Sequence, residues 1–373
     1  MFSRRLPWAL DTNPLTKLVQ EKRAAGTTVL DLTESNPTRA GIGYPRDAML
    51  AALADPRALQ YDPSPAGIAE AREAVSAYYG GRIPAGQVLL TASTSEAYGY
   101  LFKLLANPGD EVLVPRPSYP LFEFLAALES VKIVPYRLEY DHGWFIDLPF
   151  LRSQTTPRTR AIVLVNPNNP TGSFLKRREL QQLNEICAEH DLALISDEVF
   201  ADYALRPDAE RVACVADSAA GLAFSLSGLS KVAGLPQMKL GWIAANGPGH
   251  RQALDRLELI ADTYLSVSTP VQYAAARLLA LGGQVQSQIC ARSQANLATL
   301  AGRALDVEGG WYATVRVPRT RSEEEWVLYL LSRHNILVQP GYFFDFESEA
   351  FLVVSLLTPE AIFSEGISRI MTL

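Results

Sequence analysis

The sequence predicts an α/β chain, with a large domain on a mostly parallel sheet and a smaller α+β domain beside it. Two patterns carry that reading. Short apolar runs, "QVLLT" at 87, "DEVLVP" at 110, "VKIVPY" at 131, "AIVLVN" at 161, "LALISD" at 192 and "GLAFSLS" at 221, alternate with amphipathic helical stretches. Continuous apolar strands of this kind belong in a parallel sheet covered by helices on both faces. After about residue 265 the pattern changes. Helical stretches "VQYAAARLLALGG" and "QANLATLAGRAL" lead to the alternating strands "WYATVRVP" and "FLVVSLL". A chain of 373 residues, 48% of them hydrophobic, also exceeds the usual size of one domain. The expected division is 46–265 for the large domain and 1–45 plus 266–373 for the small one.

Within the large domain, residues 94–106 and 177–190 have helical periodicity. In the first, Ala97, Tyr100, Leu101, Leu104 and Leu105 fall on one stripe, and Ser93 with Glu96 forms a capping-box pattern. "PRPSYP" and "NPNNP" are short turns rather than linkers.

The net charge of -6, with scattered Lys and Arg, leaves no basic patch for nucleic acid or an anionic membrane. Cys187, Cys214 and Cys290 have neither metal-ligand spacing nor a disulfide pattern, which fits a reducing, cytoplasmic setting. His142, His190, His250 and His334 lack partner spacing. Two arginines in "MFSRRLPWALDTNPL" are followed by no apolar run, and no stretch is long enough to span a membrane.

In a parallel α/β sheet, ligands bind beyond the carboxyl ends of the strands, so the residues after each strand are informative. "VLLT" is followed by "ASTSEA", a hydroxyl-rich turn opening a helix whose free N–H groups suit a phosphate. "IVLV" is followed by "NPNNPTG", "LALIS" by "DEVFADY" and "LAFSLS" by "GLSK". Dinucleotide and nucleotide-triphosphate loops of the G-x-G-x-x-G and G-x-x-x-x-G-K-[ST] types are absent. One edge thus gathers hydroxyls, an asparagine, a carboxylate and a lysine. An amine beside a second cation is an apt nucleophile toward carbonyls, and a strand-end carboxylate suits a pyridinium nitrogen. The constellation points to pyridoxal phosphate.

At "NPNNPTG", "SDEVFADY" and "SGLSKVAGLPQMKLGW" the chain resembles the fold-type I pyridoxal phosphate enzymes, specifically the class I/II aminotransferases. The resemblance implies an aspartate-aminotransferase-like fold and assigns roles to residues. Lys231 matches the lysine that forms the Schiff base and shuttles the proton, Asp197 the partner of the pyridine nitrogen, and Asn169 the residue bonded to the ring phenolate oxygen. Tyr119 matches the aromatic stacked on the ring. Ser93, Thr94 and Ser95 match the phosphate cup, with a further hydroxyl from Ser230. Tyr61 in "YDPSPAG" matches the tyrosine that reaches the phosphate from the neighbouring subunit, which implies a homodimer with shared active sites. Asn36 and Asn169 are expected at the substrate.

Three positions depart from the family pattern. Lys239 stands where an arginine eight residues after the Schiff-base lysine is usual, and is expected to neutralise the phosphate as a point charge. Phe200 replaces a tyrosine near the phenolate oxygen. Val353 replaces the arginine that holds the substrate carboxylate. Tyr312, Thr314 and Arg316 share one face of their strand by period-two alternation, which makes Arg316 the expected replacement and Arg39 a second candidate. The implied function is an aminotransferase moving an amino group between an amino acid and a 2-oxo acid. Two alternatives stand beside it: a lyase on the same scaffold, cleaving carbon–sulfur bonds or decarboxylating, and a non-catalytic pyridoxal phosphate sensor.

Overall fold

The computed structural model describes residues 3, 5, 11–348 and 350–372. Its central sheet is built from Val88–Thr91 (β1), Glu111–Arg116 (β2), Lys132–Tyr140 (β3), Trp144–Ile146 (β4), Thr159–Val165 (β5), Ala193–Asp197 (β6), Ala223–Gly228 (β7) and Gly241–Asn246 (β8). The spatial order is β1-β8-β7-β6-β5-β2-β3-β4. β4 and β8 run antiparallel to their neighbours, and the other six strands share one direction. The apolar runs become strands because both faces of the sheet are covered. Leu89, Val112, Val163, Ile195 and Phe224 enter one buried cluster, and Leu113, Ile162, Leu164 and Leu194 another.

The sequence reading misses β4 and β8. Trp144–Ile146 is a short edge strand, and "GWIAAN" opens on glycine and is rich in alanine, both weak strand formers. β8 is nonetheless central, because it is the strand through which β1 joins β7.

A second sheet is formed by Tyr312–Arg316 (β9), Gln339–Pro340 (β10) and Phe351–Ser355 (β11), in the order β9-β11-β10 and antiparallel throughout. The N-terminal arm belongs with it. Helix Pro14–Ala24 packs on helix Glu323–His334, and Leu30–Asp31 pairs in parallel with Ile336–Leu337. Ser355 then fixes the next stretch of the arm. Its N–H donates to the Leu32 carbonyl, and its hydroxyl to that of Glu34, each at 2.7 Å.

The two helical stretches read after residue 265 are one helix, Thr269–Thr299, of 31 residues and about 46 Å. The Gly-Gly pair inside it is not a break. A Cβ on Gly282 would lie 2.8 Å from the Cβ of Ala233 and 2.9 Å from its Cα, so glycine lets the helix press against the segment that follows Lys231. Helix Arg177–His190 forms as expected, and the expected 94–106 helix spans Thr94–Leu105.

Candidate active site

β1, β5, β6 and β7 point the same way, so the turns after them meet at one edge of the sheet. There a cavity of about 680 Å³ opens, also walled by the small sheet and by the segment 119–125. Thr94, Ser95, Tyr119, Asn169, Asp197, Phe200, Ser230 and Lys231 all line it, so eight sequence-predicted residues come together.

The first turn of helix Thr94–Leu105 contains a half-made capping box. The Ser93 hydroxyl accepts from Glu96 N–H at 3.1 Å, but the Glu96 carboxylate reaches past Ser93 and accepts from Ala92 N–H at 2.6 Å. The Ala97 N–H donates to the Ser93 carbonyl. The N–H groups of Thr94 and Ser95 have no helical acceptor, and they stand at the positive end of the dipole with their hydroxyls beside them. Ser93 is thus the cap, and Thr94 and Ser95 face the cavity. β8 supports this turn closely: a Cβ on Gly241 would lie 3.2 Å from the Ser93 carbonyl carbon and from Thr91 Oγ1.

Asp197 ends β6. Its carboxylate accepts from Val199 N–H at 3.2 Å and from the Tyr98 hydroxyl at 3.4 Å. Burial raises its pKa from 3.8 to about 6, opposed by those hydrogen bonds and by the charge of Lys231. Lys231, just past β7, is shifted the other way. Burial lowers its pKa from 10.5 to about 8, with Asp197 opposing. Its Nζ lies 4.8 Å from the ring centre of Trp311 and 5.3 Å from that of Phe200, where the aromatic faces retain part of the ammonium character. Its backbone is held from behind: the Tyr203 hydroxyl donates to the Lys231 carbonyl, and Gln286 Nε2 donates to that of Val232 at 2.6 Å.

Asn169 is buried, and its Oδ1 has no hydrogen-bond partner among the described residues. A buried amide oxygen without a partner calls for one, and this side chain lies on the cavity wall. With unpaired N–H groups for a phosphate, a buried carboxylate for a ring nitrogen and an amine of lowered pKa for an aldehyde, these residues fit pyridoxal phosphate.

Other expected residues are not brought to the cavity of their own chain. Arg316 is exposed at the far end of β9, its guanidinium 5.7 Å from the Phe351 ring centre. The alternation is right, since Tyr312 on the same face lines the cavity, but four residues along a strand carry Arg316 about 13 Å away. Arg39 is also exposed and outside the lining. Asn36 is used locally: its Oδ1 accepts from the Thr38 N–H and hydroxyl, closing a turn. Lys239 is an exposed residue at φ 50°, outside the cavity lining. Tyr61 is 82% exposed and lines a separate cleft with Tyr100 and Gln272.

The sequence reading also misses residues that matter. Tyr98 sits one helical turn beyond Thr94, a spacing that places both at the cavity. Ser35 arrives on the arm fixed by Ser355, and Tyr312, Gln339 and Phe344 come from the small sheet and the turn after β10. No motif marks these, because their position depends on how the small sheet meets the large one.

The family model for aminotransferase class I and II matches residues 27–362. This chain belongs to that family. It is 33% identical to the glutamate-pyruvate aminotransferase AlaA of Escherichia coli (strain K12) over 277 residues, covering 72% of this chain and 67% of the relative. The Haemophilus influenzae AlaA protein is 29% identical over 92% of this chain and 90% of its own length. Among solved structures, the alanine aminotransferase of Pyrococcus furiosus superimposes with a TM-score of 0.88 at 25% identity, over 100% of this chain and 99% of that one. A double mutant of the Thermus thermophilus aspartate aminotransferase, at 23% identity and a TM-score of 0.85 over 100% of this chain and 99% of its own, shares the fold. The chain is a transaminase with an aspartate-aminotransferase-like α/β fold, and its substrates are small amino and keto compounds. No helix among the described residues is long and apolar enough to cross a membrane.

Proposed function

We propose that the transaminase carries pyridoxal phosphate in the 680 Å³ cavity and moves an amino group between an amino acid and a 2-oxo acid with Lys231 as its covalent anchor and proton carrier. One observation carries the reading: Asp197 and Lys231, at the ends of neighbouring strands, share a cavity with the open N-terminus of helix Thr94–Leu105.

Bound there, pyridoxal phosphate supplies an aldehyde for the lysine amine and a ring that takes up charge when a substrate Cα–H is deprotonated. The chain's own groups do the rest. Thr94, Ser95 and Ser230 hold the phosphate through N–H groups and hydroxyls. Asp197 keeps a ring nitrogen protonated, Asn169 meets the ring oxygen and the substrate, and Tyr119 lies against the ring. Lys231, with a pKa of about 8, is free of its proton in a useful fraction of molecules near neutrality, and with the cofactor bound would take a proton from the substrate Cα and hand it back on the far side of the amino nitrogen. Phe200 offers a ring face and no hydroxyl at the place where a tyrosine would bond the ring oxygen. The relatives are named for glutamate and pyruvate, which makes L-alanine with 2-oxoglutarate the first pair to assay. Those names support transamination over the lyase and sensor alternatives.

The exposure of Tyr61 supports a homodimer in which it enters the neighbouring subunit's cavity. We read the chain as two domains, 46–265 and 1–45 plus 266–373, with the cavity at their junction. Free Cys187, Cys214 and Cys290 support a cytoplasmic location. The test is direct. Purified protein supplied with pyridoxal phosphate acquires a visible absorbance band, the band shifts on adding L-alanine, and 2-oxoglutarate restores it with formation of glutamate. Lys231→Ala abolishes turnover while cofactor still binds without the covalent link. Absence of any band in the wild-type protein refutes the cofactor assignment, and pyruvate release from cysteine conjugates with no keto acceptor would move the reading to a lyase.

A further inference from the structure

Amino acids and 2-oxo acids both bring a carboxylate into the cavity, and the cavity is poor in positive charge. Among the described residues that line it, Lys231 is the one cation, and Asp197, Glu123 and Asp345 are carboxylates. Lys231 is committed to the reacting amine. Among the described residues no arginine lines the wall.

The small sheet supplies Tyr312 and Gln339 to the cavity wall, and its register shows what faces inward. Val353, in the middle strand β11, pairs with Thr314 on one side and Gln339 on the other. Directly paired residues in an antiparallel sheet stand on the same face. Tyr312 lies two residues from Thr314, so it shares that face, and both Tyr312 and Gln339 line the cavity. Val353, beside Gln339 on that face, is fully buried. The Tyr312 hydroxyl is held neutral, its pKa pushed up to about 12 chiefly by burial. The Gln339 side chain, in contrast, lines the cavity and has no hydrogen-bond partner among the described residues.

We infer that Gln339 is the residue of this wall that receives the substrate carboxylate, through neutral amide N–H donors in place of an ion pair. The inference rests on the transaminase reading of the cavity. A neutral amide orients a carboxylate by hydrogen bonds, and its two N–H donors cover one or both oxygens.

The experiment compares wild type with Gln339→Leu and Gln339→Glu as holoenzymes. The readouts are KM and kcat for L-alanine and L-phenylalanine with 2-oxoglutarate, and dissociation constants from the visible band for 3-phenylpropionate and 3-phenyl-1-propanol. Losing a hydrogen bond to a charged group is equivalent to about a tenfold to hundredfold change in affinity. Gln339→Leu is expected to raise KM for both donors and the dissociation constant for 3-phenylpropionate by that factor, with kcat and cofactor retention within about threefold. Binding of the alcohol is expected to stay the same. Gln339→Glu, which adds a like charge, weakens the acid further. The inference is overturned if Gln339→Leu leaves acid binding unchanged, or if it weakens the alcohol as much as the acid, which is the signature of a merely structural residue. A wild-type holoenzyme that moves no amino group sinks the transaminase reading instead, while the acid-against-alcohol comparison still decides the role of Gln339.

Discussion

Replacing Asp197 by asparagine has opposite effects on the cofactor-free and cofactor-loaded protein. In the free protein the carboxylate is buried, with a pKa of about 6 against 3.8 in the usual range. Between those values the folded chain holds a proton that the unfolded chain has lost, so stability falls as pH rises through the window and stays lower above it. The difference is worth about 3 kcal/mol. Asparagine keeps an acceptor for Val199 N–H and a polar partner for the Tyr98 hydroxyl, and removes the buried charge. Asp197→Asn is therefore expected to stabilise cofactor-free protein above pH 6 by up to about 3 kcal/mol and to have no such effect below pH 4. At about 2.1 cal/mol/K per residue, that is a rise of about 4 °C in Tm for a chain of this length. In the loaded protein the same change removes one partner of a buried charged pair, at about 3–5 kcal/mol, so cofactor retention is expected to fall by about two to four orders of magnitude. Thermal scans at pH 4 and pH 8, with and without pyridoxal phosphate, read both signs. A difference in Tm that does not change with pH, or a variant that keeps cofactor as tightly as wild type, refutes the assignment.

Covalent uptake of pyridoxal phosphate by cofactor-free protein is expected to speed up as pH rises and to level off above about 8, where Lys231 has lost its proton; stopped-flow absorbance follows it. The same lowered pKa makes cofactor-free protein gain stability between pH 8 and 10.5, because there the unfolded chain binds a proton that the folded chain does not, and urea titrations at the two pH values measure it. Arg316→Ala is expected to leave KM for an amino acid donor within about twofold, since its guanidinium lies against Phe351 and outside the cavity; an increase of tenfold would return it to the site. Gly241→Ala forces a Cβ to within 3.1–3.2 Å of Ser227 O, Ser93 C and Thr91 Oγ1, an overpacking worth about 1–3 kcal/mol, and cofactor titration is expected to show a loss of affinity of about fivefold or more.

The strands that deliver Asn169, Asp197 and Lys231 are legible because each is a continuous apolar run ended by an abrupt change to polar residues. β8 is not legible, since its glycine and alanines are chosen by the backbones they pack against and not by strand propensity. The same limit applies to the substrate wall. Alternation places Arg316 and Tyr312 on one face, but only the meeting of two sheets decides which of them reaches the cavity. Gln339 is carried there by a two-residue strand too short to announce itself. Lys239 is placed by its spacing from Lys231, and spacing says nothing of the left-handed turn that leaves it exposed.

β8 has a consequence for how the protein is made. Val88 of β1 pairs with Ala244, so the strand that carries Thr94 and Ser95 has no neighbour in the sheet until β8 has been synthesised. Until then an emerging chain presents β1 as an open edge of apolar residues, the kind of surface that chaperones cover and that pairs wrongly with other chains. Gly241 and Trp242 then close that edge and, in the same step, set the phosphate turn beside Lys231. Cofactor capture during translation therefore becomes possible only after residue 246 has left the ribosome, and arrested chains ending before that point should hold no pyridoxal phosphate.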